Sequence, residues 1–213
     1  RMRDSFLSFK DISAEKWVIN VRGSYKERTL NFLNKHLEGK LCHYQLESKK
    51  GWFADTRKML KDINSDFVFF WIEDHINIVD IEVYNDILHE MKENCCDQLT
   101  YTWWYGEYRD VYKPIKTSES SCLDYFDINF NSIKKIETNE GRYIYTISCT
   151  GIFSIDFFRN IIKSNHPKLK RWPKETPFDF EKRSTDTEFM NYKHALPKFE
   201  LFASIDDNNR SKS

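Results

Sequence analysis

Glu73, Asp74 and His75 stand side by side directly after the most apolar run of the chain, residues 67–72 (FVFFWI). A buried strand that ends in adjacent carboxylates presents them at its carboxyl end and not along a solvated helix. Carboxylate oxygens suit Mg²⁺ or Mn²⁺, and such a cation neutralises a diphosphate. An imidazole adds a ligand that manganese accepts more readily than magnesium. The expected chemistry is the metal-assisted handling of a diphosphate. The plainer alternative is that acidic residues simply end a strand and open a loop.

The elements that must position this cluster follow from hydrophobic spacing. Residues 17–21 (WVINV), closed by Arg22-Gly23, predict a first buried strand ending in a turn. Over 27–37, Leu30, Leu33 and Leu37 recur at helical spacing, with Gly39 as the stop. Residues 41–46 alternate as a second strand, which Glu47-Ser48 leave into the basic loop Lys49-Lys50-Gly51. Phe53, Thr56, Leu60 and Ile63 share one helix face, and Asn64-Ser65-Asp66 breaks that helix before the run 67–72. An unbroken β-branched and aromatic run of this kind predicts a parallel strand covered on both faces.

Further along, Asp80 is placed to cap a helix whose Ile81, Tyr84, Ile87, Leu88 and Met91 form an apolar stripe, and 99–104 supply another strand. Strands alternating with helices predict an α/β fold: a mainly parallel sheet, wound by right-handed crossovers and flanked by helices, in a single domain. Ligands of such sheets sit at the carboxyl ends of the strands. Residues 105–140 show no clear period; a strand at 142–149 follows, then Gly151 and a helix capped by Ser154 with Ile155, Phe158 and Ile162 inward. The basic segment 166–177 contains three prolines and reads as a loop.

Composition narrows the function classes. The 33 basic and 33 acidic side chains cancel, so no global field draws the chain to nucleic acid or to an anionic membrane surface. The apolar run at 67–72 is far too short to span a bilayer. Cys42, Cys95, Cys96, Cys122 and Cys149 are odd in number and form no CxxC pair, which predicts free thiols, a reducing cytoplasmic setting and no structural metal.

In this order of elements, FVFFWIEDH over 67–75 resembles the strand and DxD-type acidic motif of GT-A glycosyltransferases, particularly glycosyltransferase family 2. Thr56-Arg57-Lys58 lies where that family carries an alanine-arginine-asparagine signature, of which only Arg57 is kept. His75 replaces the usual final aspartate. Residues 19–23 resemble the opening strand that holds the nucleotide base, and Glu47 falls where an acidic residue meets the base. Thr150-Gly151 resembles the segment near the acceptor sugar, and 177–181 (PFDFE) the motif that supplies the catalytic base.

The resemblance implies a GT-A-like, Rossmann-related domain over 1–213. Its nucleotide-sugar half would cover about 17–104 and its acceptor half about 142–205. The implied reaction is inverting transfer of a sugar from a nucleotide diphosphate to a hydroxyl, in surface polysaccharide or glycoconjugate synthesis. Asn20, Val21, Arg22, Gly23, Tyr25, Glu47 and Arg57 would bind the donor nucleotide. Glu73, Asp74 and His75 would hold Mn²⁺ or Mg²⁺ and the diphosphate. Asp179 or Glu181 would be the base, with Asp179 preferred. Thr150 and Gly151 would face a glycan or lipid-linked acceptor, at the inner face of a membrane if the chain associates peripherally there; apart from the resemblance, Trp104 and Trp172 offer aromatic faces to an acceptor sugar, with core packing the alternative for Trp104. A nucleotidyltransferase competes, although Arg22-Gly23-Ser24 is a poor version of its glycine-rich basic loop, and a non-catalytic carbohydrate-binding module is the other alternative.

Overall fold

A computed structural model describes residues 2–47, 52–101, 110, 112–140, 150–163 and 191–204. The chain opens with a helix not among those expected from the sequence, α1 (Met2–Phe9), followed by β1 (Trp17–Asn20), α2 (Lys26–His36) and β2 (Leu41–Tyr44). Helix α3 (Trp52–Met59) tightens into a 3₁₀ turn at Leu60–Asp62 before β3 (Phe67–Phe70). Then come β4 (His75–Asn77), α4 (Glu82–Glu93) and β5 (Gln98–Tyr101). The hairpin β6 (Lys116–Glu119) and β7 (Leu123–Ile128) precedes α5 (Phe130–Glu140), β8 (Thr150–Ser154), α6 (Ile155–Lys163), β9 (Tyr192–Pro197) and β10 (Phe202–Ser204).

Local chemistry explains most of these elements. Leu30, Leu33 and Leu37 are all buried, and Gly39 ends the α2 region with φ +74°, a left-handed value that glycine adopts without steric cost. In α4, Tyr84, Ile87 and Met91 form the inward stripe, but the residue at the N-cap is Ile81, not Asp80, and it makes no side-chain cap. Ser154 does cap α6: its Oγ accepts the Phe157 N–H at 3.4 Å. The expected strand at 142–149 and the loop at 166–177 lie outside the described residues.

Six strands form the main sheet in the order β3-β8-β5-β9-β7-β6. Alternation along each strand sends neighbours to opposite faces. Leu99, Tyr125, Ile152 and Ala195 join the large core built with α1, α2 and α4. On the other face Phe126, Ile128 and Leu196 pack with Ile136 of α5, and Phe153 packs with Phe158, Ile161 and Ile162 of α6. The central strands are therefore covered on both sides.

The α/β class with helices flanking a central sheet is as expected, but the sheet is mixed where the sequence suggested a mainly parallel one. Strand β8 inserts antiparallel between β3 and β5, and β9 pairs parallel with β5 and antiparallel with β7. A continuous apolar run reports two covered faces, and says nothing about the direction of the partner. The parallel pair β1-β2 forms a small sheet of its own, and β4 pairs antiparallel with β10. Among the described residues no helix is long and apolar enough to cross a membrane.

Candidate functional site

A cleft of about 1350 Å³ separates the β1-β2 pair from β3, the edge strand of the main sheet. Helix α3 fixes how its two walls are oriented. At its start Asp55 reaches Arg22 at the exit of β1, and the 3₁₀ turn that ends it lies at the entrance of β1, where the Lys16 Nζ donates to the Asp62 carbonyl at 3.2 Å. The Ser65 hydroxyl, just before β3, donates to Glu15, just before β1, at 3.0 Å. Both strands are thus entered from one end. Their exits, carrying Arg22, Glu73 and Asp74, line the cleft at the other, where open α/β sheets hold their ligands.

Glu73 and Asp74 both line this cleft. Asp74 is tethered: its Oδ1 lies 2.6 Å from the His75 Nδ1, with the Asp74 side chain 33% exposed and the His75 side chain only 8%. The backbone turns sharply here, with the His75 N–H donating to the Ile72 carbonyl at 3.4 Å, and β4 starts at once against β10. His75 is drawn into the protein by this pairing and packs edge-on to Phe202 at 6.3 Å. It does not line the cleft, so the imidazole proposed as a third ligand is spent on Asp74.

Arg22 is the cation at the strand-exit end of the cleft, and its guanidinium Nη2 donates to the Asp55 carboxylate at 2.6 Å. The Asp55 side chain is 2% exposed and Arg22 is 40% exposed, so a buried anion anchors a half-exposed cation. Asp55 is a site residue that sequence reasoning missed. Its signal was the helix phase: Asp55, Thr56, Met59 and Leu60 all line the cleft, an i, i+1, i+4, i+5 pattern.

The same phase turns Arg57 outward. It is exposed, outside the cleft lining, and donates to the Ile162 carbonyl at 3.4 Å, near the negative end of α6. Asn20 lines the cleft, yet its amide is occupied by Leu46, donating to that carbonyl at 3.1 Å and accepting that N–H at 2.8 Å. Val21 is buried and its N–H continues the pairing to Tyr44 at 2.9 Å. Gly23 turns the chain with φ +84° in open space, Tyr25 stands 73% exposed at the start of α2, and Glu47 is exposed.

Gly151 sits mid-sheet between Phe70 of β3 and Thr100 of β5, with Thr150 beside Tyr101. A Cβ at Gly151 would come within 2.7 Å of the Leu99 carbonyl oxygen, so this glycine permits close strand approach. Trp104, Trp172, Asp179 and Glu181 lie outside the described residues.

No protein-family model matches the chain, and no curated protein matches it. Among solved structures, S. aureus TarS 1-349 superposes with a TM-score of 0.58 at 15% identity, over 95% of this chain and 56% of that one. A structure of TarS 1-349 in complex with UDP gives a TM-score of 0.48 at 16% identity, over 92% of this chain and 56% of that one. The chain thus spans little more than half the length of the neighbour it resembles. The first likeness shows the fold alone: a mixed α/β fold like that of TarS.

Proposed function

We propose that the chain transfers a sugar from a nucleotide diphosphate sugar to a hydroxyl of a glycan or lipid-linked acceptor, with inversion, in the manner of glycosyltransferase family 2. The observation that carries this reading is the convergence of Arg22, Glu73 and Asp74 on one large cleft at strand exits, in a fold shared with TarS.

The donor set decides how a cation would be held. Among the described residues no three of His, Cys, Asp or Glu come together as a metal-binding group. Two neighbouring carboxylates nevertheless fit a Mg²⁺ or Mn²⁺ ion that keeps waters and takes its remaining ligands from substrate phosphate. Glu73 and Asp74 would hold it, and when bound it neutralises charge on the departing diphosphate.

The protein's own groups do the rest. Arg22, pinned by Asp55, offers a fixed fork for a phosphate oxygen, and a cation preorganised in this way needs no reorganisation as charge develops. The base that takes the acceptor proton is assigned to Asp179, then Glu181, on the family resemblance. Trp172 and Trp104 are assigned to the acceptor because an aromatic face suits the C–H face of a pyranose.

Calorimetric titration of the chain with UDP, GDP, CMP and dTDP sugars, with and without Mn²⁺, tests the reading. One donor class should bind, and Asp74→Ala should abolish that binding while leaving the far-UV circular dichroism unchanged. Equal affinity in Asp74→Ala across the panel defeats the assignment.

A further inference from the structure

We propose that His75 is a positioning residue: its Nδ1–H holds one oxygen of Asp74 so that the carboxylate keeps a fixed orientation at the cleft. The inference rests on the reading of Asp74 as the diphosphate-side carboxylate. Three observations carry it. The His75 Nδ1 and the Asp74 Oδ1 are 2.6 Å apart, within hydrogen-bond distance. The His75 side chain is 8% exposed against 33% for Asp74, so the inner partner is fixed and the outer one faces solvent. The ring is itself held, by the β4-β10 pairing at His75 and Ser204 and by the edge of Phe202 at 6.3 Å.

A lone carboxylate at a strand exit rotates freely about its terminal torsion, which is broad and roughly two-fold. With Oδ1 engaged by a rigid, buried donor, Asp74 keeps a single plane. His75 thereby orients the carboxylate beside it, as ligating carboxylates are oriented elsewhere by hydrogen-bonding partners whose loss costs about 10- to 100-fold in affinity or activity.

Two isosteric changes separate orientation from packing. His75→Asn keeps an N–H donor at the place of Nδ1 and gives up most of the ring, whereas His75→Phe keeps a ring against Phe202 and gives up the donor. Donor binding is read by titration with whichever of UDP, GDP, CDP or dTDP binds the unmodified chain most tightly in saturating Mn²⁺. Thermal midpoints are measured alongside. The expected result is retention in His75→Asn to within about threefold and a loss of at least about tenfold in His75→Phe, with both variants folded.

Retention in His75→Phe, or equal loss in both folded variants, overturns the proposal. A second readout needs no ligand: ¹⁵N chemical shifts of the His75 ring should show the Nδ1–H tautomer, and a bare Nδ1 refutes the hydrogen bond directly. If no nucleotide binds the unmodified chain, or Asp74→Ala binds normally, it is the functional reading that fails. The tautomer measurement still decides the contact.

Discussion

Acidification should destabilise this protein through one buried histidine. His194 on β9 is fully buried, stacked on Tyr112 at 4.9 Å and flanked by Phe126 and Tyr192. Its Nε2 meets the Thr100 hydroxyl at 3.2 Å, and its Nδ1 finds no hydrogen-bond partner among the described residues. Burial among aromatic rings disfavours the imidazolium, pushing the pKa down to about 3 from its ordinary 6.5. The unfolded chain therefore binds a proton below pH 6.5 that the folded chain refuses until near pH 3. Stability from this group is complete above 6.5 and is lost as the pH falls through that window.

At about 1.36 kcal/mol for each pH unit, moving to pH 5 costs on the order of 2 kcal/mol. His194→Phe keeps the stacked ring and removes the titration. Urea denaturation of both proteins at pH 7 and pH 5 isolates the effect, because the other titrating groups cancel in the difference. The unmodified chain should lose about 2 kcal/mol more than the variant. Equal losses, or a His194 ring signal that titrates near its ordinary value, would refute the argument.

Three other outcomes follow from the geometry. Gly151→Ala should destabilise by about 3 kcal/mol in chemical denaturation, because the added carbon meets the backbone oxygen of Leu99 at 2.7 Å; a loss under about 1 kcal/mol would show that β8 can move aside. In a double-mutant cycle, Arg22→Ala and Asp55→Asn should couple by about 1–3 kcal/mol, while additivity to within about 0.5 kcal/mol would mean that the pair at 2.6 Å carries no net energy. Under native conditions a thiol reagent should modify exposed Cys95 and spare Cys96, whose thiol is pushed up to about 12 by burial; equal labelling would argue against that burial.

Much of the first half of the fold was legible because it is local. Leu30, Leu33 and Leu37 mark α2, and Tyr84, Ile87 and Met91 mark α4, through a spacing that depends on no distant residue. Pairing is the reverse case. Nothing in 67–72 announces that its partner is β8, or that the chain turns after Phe70 to give β4 a partner at 202–204. That non-local pairing turned His75 inward, and it separates the residue's expected role from its observed place. Arg57 lies outside the cleft lining for a different reason. The helix face holding Thr56 and Leu60 also holds Asp55 and lines the cleft, while Arg57, where the signature resemblance falls, lies off that face and is exposed.

Strand pairing between β1 and β2 runs from Trp17 with Leu41 to Asn20 with Tyr44, and the side chain of Asn20 then adds two bonds to Leu46, like an extra rung on a ladder. The chain leaving β2 is lashed to the chain leaving β1, so Leu46 cannot drift from Arg22 as a free hinge would. The two exits therefore form one stiff shelf, of which Asn20 and Arg22 face the cleft.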